Sequence, residues 1–121
     1  MQDKYKTAIV NLVQAQDGIR ISTQTIGRHL NACWRDDPDA PLDDEHHQPH
    51  LTKAYRMLGP SGLDYDGRDV VEILTNDEKL KCPHCLAAHY EIQNRKKLRQ
   101  STGRARAWIT RLGKELIKEA K

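Results

Sequence analysis

The chain has 121 residues, 37% of them hydrophobic and 31% charged, with no Phe and a mean hydropathy of −0.81. This length suits about one domain with a small core, which chains of this kind often reinforce with a metal or a partner. No run approaches the roughly 18 apolar residues of a membrane span, and the polar start lacks a signal-peptide core, so we expect a cytoplasmic protein. Three cysteines are an odd number, which argues against a disulfide framework.

Two helices, forming an N-terminal helical pair, are predicted in residues 1–34. Apolar residues at helical spacing predict the first helix over residues 3–16. The dipeptide Asp17-Gly18 is a turn signal and is expected to end it. The second helix follows after a short extended stretch and has Cys33 on its apolar face.

The middle of the chain is predicted to hold a loop, a short helix and a hairpin. Residues 36–48 contain six acidic side chains and two prolines, which is typical of a loop. Residues 49–81 begin with a short helix. In the β-branched segment that follows, Asp66-Gly67 can turn a β-hairpin or Asp69 can cap a short helix, and the hairpin is the favoured interpretation.

Residues 82–121 have helical periodicity from Pro83 onward, and proline suits the first position of a helix. The sequence Ser101-Thr102-Gly103 either divides this segment into a helical hairpin or lies within one long helix, and both interpretations stay open. The predicted fold is a single mainly α domain over residues 1–121, with a small α+β arrangement as the variant. In it a zinc site clasps the helical pair and the short hairpin to the basic C-terminal segment.

The metal prediction depends on the stretch LKCPHCLAAHY. Cys82 and Cys85 have the two-residue spacing of zinc fingers, and both lie at a predicted helix N-terminus, where the dipole favours thiolate. His89 follows Cys85 by one helical turn on the same face. A tetrahedral ion needs a fourth ligand, and Cys33 is the remaining cysteine. We therefore predict a Zn²⁺ site of Cys33, Cys82, Cys85 and His89.

Two alternatives concern the same residues. His29 lies one turn before Cys33 and could replace His89 as the nitrogen ligand. The Cys-Pro-His-Cys motif also resembles the active site of DsbA-type disulfide oxidoreductases. The segment after it contains no further proline and no predicted strand, which departs from the thioredoxin-like pattern, so a metal site is favoured over redox chemistry.

The stretch DDEHHQPH partly resembles HNH endonucleases. That resemblance implies that Glu45 holds a catalytic metal, that His46 activates water and that His89 is the last metal ligand. The strand-rich core of that family is not evident between Leu51 and Leu80, and its second CxxC is missing. An HNH-like nuclease is therefore the third functional hypothesis, and we predict a protein that is not an enzyme.

Charge is divided unevenly along the sequence. Residues 1–81 carry 10 Lys/Arg and 14 Asp/Glu, a net charge of −4, whereas residues 82–121 carry 10 and 3, a net charge of +7. Such an imbalance indicates an anionic partner, most commonly nucleic acid, unless the two halves neutralise each other on folding. The residues predicted to contact nucleic acid or a partner protein are Arg95, Lys96, Arg99, Arg104, Arg106, Trp108, Arg111 and Lys114.

Residues 82–114, CPHCLAAHYEIQNRKKLRQSTGRARAWITRLGK, resemble small zinc-binding accessory proteins of temperate bacteriophages. The CxxC, the histidine four residues later and the Arg-rich helix carry the likeness. The resemblance implies action on host nucleic-acid machinery or on phage DNA. We expect a non-enzymatic zinc protein that binds nucleic acid or regulates its machinery. The alternative is an adaptor or inhibitor whose C-terminal helix docks on a larger nucleic-acid-processing protein.

Overall fold

The computed structural model describes residues 2–120, apart from the side chains at positions 2 and 44, and every regular element in this range is helical. The helices are α1 (Gln2–Asp36), α2 (His50–Met57), α3 (Val70–Asn76) and α4 (Pro83–Ala120), with a 3₁₀ turn at Asp44–His46. The predicted mainly α fold is therefore confirmed. Although α1 and α4 are long, neither they nor the shorter helices of the described range contain a segment apolar enough to cross a membrane.

The chain forms two compact units. The helical-pair unit contains the described residues up to Thr23 and from Gln93 onward, and the cluster unit contains Gln24–Ile92. Charge follows this division. The sequence of the helical-pair unit has 13 Lys/Arg and 4 Asp/Glu, a net charge of +9, and that of the cluster unit has 7 and 13, a net charge of −6. That zinc joins residues 1–121 into one domain stays a prediction.

The N-terminal helical pair predicted for residues 1–34 is wrong, because α1 is one continuous helix. A Cβ at Gly18 would lie 3.3 Å from both methyl carbons of Leu98 on α4. This glycine therefore permits close packing of α1 on α4 and does not form a turn. Its neighbour Asp17 pairs with Arg20 one turn later, at 2.8 Å, and this pairing suits a continuous helix.

The β-hairpin predicted to turn at Asp66-Gly67 is also wrong, and the alternative interpretation, a helix capped by Asp69, is the one observed. Asp69 Oδ1 accepts the backbone N–H of Glu72 at 2.8 Å and caps α3. Val70 and Ile73 then turn inward at helical spacing. Gly67 has a φ of 77°, which fits the turn that precedes the cap.

The other predicted elements agree with the structure. Residues 37–49 form a loop apart from the 3₁₀ turn, and Pro49 precedes α2. The C-terminal segment is one long helix and not a helical hairpin, because α4 continues through Gly103. Thr102, one residue earlier, donates its hydroxyl to Leu98 O at 3.0 Å within the helix.

The core of the cluster unit gathers small and medium side chains from all four helices around its cysteines. Ile73 and Leu74 are its largest fully buried apolar residues. Its buried members are Cys33, Leu51, Ala54, Val70, Ile73, Leu74, Cys82, Cys85 and Ala88. Three of the nine are cysteines, so a metal bound by them would add to the stabilisation that apolar burial gives this unit.

Arg68 ties the loop before α3 to the loop after it. Its Nε lies 2.9 Å from Asp64 Oδ2, and its Nη1 lies 3.1 Å from Asp77 Oδ2. The backbone N–H of Arg68, then its guanidinium, lower the pKa of Asp64. The backbone N–H of Lys79, with that of Leu80 and the Arg68 guanidinium, lower the pKa of Asp77.

Replacing this arginine, as Arg68→Gln, is expected to lower the melting temperature by several degrees at neutral pH. Folding favours the ionised form of both carboxylates, since their pKa values fall below the ordinary 3.8. Their contribution is therefore complete above that value and is lost as the pH falls through the lower folded pKa. Thermal unfolding of the variant and the wild type should differ at pH 7 and converge in acid, once the pH is below the lowered pKa values of both carboxylates. The exposed Arg56→Gln is the control, and a difference that persists in acid would contradict the assignment.

Candidate metal centre

Four metal-ligating side chains converge in the cluster unit from three different helices. Cys33 lies in the last turn of α1, and His50 is the first residue of α2. Cys82 precedes α4, and Cys85 is in its first turn. The backbone nitrogen of Cys85 lies 3.5 Å from Cys82 Sγ and donates its N–H to it, so Cys82 caps α4.

The geometry of this cluster suits a single tetrahedral ion. One ligand atom from each of Cys33, His50, Cys82 and Cys85 lies within 4.8 Å of all the others. Within the cluster, Cys33 Sγ and His50 Nδ1 are 3.2 Å apart. In a tetrahedral zinc site the ligand atoms stand about 3.5–3.8 Å apart, as the metal–ligand bond lengths require. Small side-chain movements would therefore complete the coordination, and the cluster could hold a metal ion.

Without a cation the three thiols cannot all be ionised. Hydrogen bonding from Cys85, with contributions from His50 and His47, lowers the pKa of Cys33 to about 4, although burial opposes this. The same hydrogen bond to Cys33, together with burial, raises the pKa of Cys85. Burial raises the pKa of Cys82. The arrangement thus favours one thiolate, on Cys33, solvated by its neighbours. A bound divalent cation would compensate the remaining negative charge and release the other thiol protons.

A cavity of about 800 Å³ borders the cluster and includes Cys33, His50 and Cys82 in its lining. Asp37, whose carboxylate is 7% exposed, lies 3.7 Å from His50 Nε2, the ring nitrogen that does not face Cys33. A carboxylate beside the outer nitrogen of a ligating histidine is a common way to hold the ring in orientation. The cavity also gives a metal ion a path from solvent to its ligands.

The structure brings together three of the four predicted ligands and places the fourth elsewhere. Cys33, Cys82 and Cys85 are brought together as predicted, but His89 is outside the cluster. Its Nδ1 is 2.8 Å from the Tyr55 hydroxyl, and the residue is only 8% exposed. The runner-up, His29, is outside the cluster as well. The histidine in the cluster is His50, which is not in the predicted set.

His50 was missed because its closeness to the cysteines is a tertiary feature. Along the sequence it belongs to a His-rich, acidic stretch that has the composition of a solvated loop. Its position directly after Pro49 was an available signal, since that fixes it at a helix start where a side chain can point into the core. His47 is also near the cluster, and its Nε2 is buried without a hydrogen-bond partner among the described atoms.

The residues implied by the HNH resemblance do not form one site in the described residues. His46 is 73% exposed, and its Nδ1 lies 3.1 Å from Asp43. Glu45 is exposed, whereas His89 is buried against Tyr55. Residues 2–120 contain no strand, so the ββα core of that family is not formed.

The predicted basic residues lie along α4. Lys96, Arg99 and Lys114 are exposed, and Arg95, which is half-buried, donates to Thr23 Oγ1 at 3.3 Å. The guanidinium of Arg111 lies 5.3 Å from the centre of the Trp108 ring. The described residues form no ion pair with four of these arginines, Arg99, Arg104, Arg106 and Arg111. These cations are therefore available to an anionic ligand.

Comparison with known proteins gives no further assignment: no protein-family model matches the chain, and no similar curated protein or solved structure was found.

Proposed function

We propose that this protein is a non-enzymatic zinc protein that binds nucleic acid through its helical-pair unit. The observation that carries the proposal is the separation of charge between the two units, +9 in the helical-pair unit and −6 in the cluster unit. A unit with this excess of Lys and Arg attracts polyanions, and nucleic acid is the commonest polyanion in a cell. The resemblance of residues 82–114 to phage accessory proteins implies a role in nucleic-acid transactions, which agrees with this proposal.

Zinc is the proposed ion because of the donor set. Three thiolates and one imidazole form a Cys₃His set, which is typical of structural zinc, and soft sulfur ligands select against magnesium and calcium. Four protein ligands leave no open position for water or substrate. This supports a structural role for the ion and a function in binding rather than in catalysis.

The arginines of α4 are proposed to contact the phosphate backbone. Arg99 and Arg106 lie on one side of the helix, seven residues apart, and border the same shallow depression. Arg104 and Arg111 repeat the same spacing on another side. Each is exposed and free of ion pairs with described residues, so no internal salt bridge has to be broken when a phosphate binds.

Salt dependence tests this proposal directly. The zinc-loaded protein is expected to bind a fluorescent oligonucleotide with an affinity that falls steeply between about 50 and 200 mM salt, since each neutralised phosphate releases a counterion. Replacing Arg99, Arg104, Arg106 and Arg111 together by Gln should reduce the slope of log K against log salt by about 3. Fluorescence anisotropy measures both quantities.

The matched control replaces two exposed cations of the cluster unit, Lys53→Gln and Arg56→Gln, and should leave the slope unchanged. Absence of binding, or binding that salt does not weaken, would overturn the proposal.

The alternative function, a protein adaptor, is favoured by one feature of the helical-pair unit. Tyr5, Ile9, Ile109, Leu112 and Leu116 line a shallow apolar groove, and Ile9 and Leu116 are about half exposed. The apolar face of an amphipathic helix without a strong net charge would suit this groove. Affinity for such a partner would depend weakly on salt, so the salt titration separates the two functions.

A further inference from the structure

Trp108 is an exposed aromatic side chain on the basic helix α4, and it lines a depression that polar and apolar side chains share. Apolar periodicity places Trp108 on the same helical stripe as Leu112, yet it is 40% exposed, whereas Leu112 is 2% exposed. The depression beside it has a volume of about 440 Å³, within the range of small-ligand sites. Its lining residues are Ala8, Asn11, Gln14, Ser101, Arg104, Ala105 and Trp108.

The chemistry of this lining matches that of a nucleotide. The indole gives a flat surface for stacking. The carboxamides of Asn11 and Gln14 are exposed on α1, and each has the paired donor and acceptor that base edges recognise. Arg104 Nη2 donates to Ser101 Oγ at 3.2 Å, which holds a guanidinium at the edge of the depression.

Arg111 adds a second cation at the same place. Its guanidinium carbon is 5.3 Å from the Trp108 ring centre, so the arginine covers part of the indole and keeps its charge beside it. Arg104 therefore precedes Trp108 along the exposed face of α4, and Arg111 follows it. Phosphates on both sides of a stacked nucleotide would each meet a cation.

We propose that the depression formed by Asn11, Gln14, Ser101, Arg104 and Trp108 binds an unpaired nucleobase of a single-stranded nucleic acid. This inference rests on the proposed function, which it makes more specific. Bases within a duplex are already stacked on each other, so Trp108 can stack only on a base that is free of the duplex. Every base has a flat face that can stack on an indole, so we expect the site to accept any base. The carboxamides of Asn11 and Gln14 can rotate to match the donors and acceptors on the edge of that base.

The test compares two probes with equal numbers of phosphates, a twelve-nucleotide thymidine oligomer and an abasic oligomer of the same length. The wild-type protein with zinc bound is expected to bind the thymidine oligomer roughly tenfold more tightly, since one stacked base is typically worth about that factor. Trp108→Ala should remove the difference, and Trp108→Phe should keep much of it. Anisotropy titrations at one fixed salt concentration give the ratios.

Substitutions of the two carboxamide residues, Asn11 and Gln14, provide a second test in case the Trp108→Ala variant does not fold. Asn11→Ala and Gln14→Ala are exposed helical substitutions that should leave the fold intact, and together they are expected to reduce the preference for the thymidine oligomer several-fold. Equal affinity for the two oligomers, combined with a steep salt dependence, would overturn the base site and leave the proposed function standing. Failure of both oligomers to bind would overturn both.

Discussion

Removing the proposed zinc ion is expected to destabilise the cluster unit more than any single core substitution. Structural zinc typically contributes about 10–16 kcal/mol of apparent binding free energy near neutral pH, whereas emptying a core position costs about 2–5 kcal/mol. The cluster joins α1, α2 and the start of α4, and three of the nine buried core residues are its cysteines. Chelation should therefore cause cooperative loss of helical circular dichroism, and added zinc should restore it.

The corresponding substitution, Cys33→Ser, is expected to abolish stoichiometric zinc binding and to lower the melting temperature to that of the chelated protein. Cys33 is 1% exposed and its Sγ lies 3.2 Å from His50 Nδ1, so its loss removes one of the four candidate ligands of the cluster. Native mass spectrometry measures the zinc content, and thermal circular dichroism measures the stability.

Ile26→Ala is the matched control for that substitution. Ile26 lies two turns earlier on the same buried side of α1 and is 7% exposed, but it is not part of the cluster. This variant should lose about 2–5 kcal/mol of stability and keep one zinc per chain. The cluster is not a metal centre if the wild type contains no zinc and a chelator leaves its melting temperature unchanged.

Local patterns in the sequence were sufficient to predict the mainly α fold class and the positions of most of the helices. Residues 82–121 have helical periodicity and Pro83 marks their start, so the start and helical character of α4 could be predicted locally, whereas its continuity through Gly103 could not. The errors occurred where tertiary contact overrides a local signal. Gly18 resembles a helix stop but is a packing residue under Leu98, and nothing within α1 reveals the neighbouring helix.

The segment after Gly67 shows a different kind of error. Val70, Val71 and Ile73 are β-branched and favour a strand by propensity. The cap from Asp69 and the burial of Val70, Ile73 and Leu74 on one helical side outweigh that propensity. The Asp69 signal was visible in the sequence, and its hydrogen bond to Glu72 is the contact that decides between the two interpretations.

The candidate site was predictable for its cysteines and not for its histidine. Three cysteines in a chain without a disulfide pattern leave few arrangements for a metal, whereas six histidines leave many. His89 satisfies the helical spacing rule, but its ring is 2.8 Å from the Tyr55 hydroxyl on α2. The same helix places His50 beside Cys33, so the position of α2, which local patterns do not specify, determines which histidine lies in the cysteine cluster.

Substitution of the two histidines should separate these roles. His50→Ala is expected to weaken zinc affinity by more than about 100-fold, because altering even the residues behind a metal ligand typically costs about 10–100-fold. His89→Ala should leave zinc affinity unchanged. It removes the partner of the Tyr55 hydroxyl and leaves a small void, so stability should fall by about 1–3 kcal/mol. Competition with a chromophoric chelator measures the affinities, and chemical denaturation of the zinc-bound forms measures stability.

Cobalt spectra distinguish a lost ligand from a disturbed fold. Substitution of Co²⁺ for zinc should give the wild type and His89→Ala the same tetrahedral visible bands and the same thiolate charge-transfer absorption, since both keep three sulfurs and the His50 nitrogen. His50→Ala should retain the charge-transfer absorption of the three thiolates with altered visible bands. If His89→Ala alters the cobalt bands and His50→Ala does not, the original ligand set of Cys33, Cys82, Cys85 and His89 is correct, and α2 must approach the cysteines differently from the arrangement described.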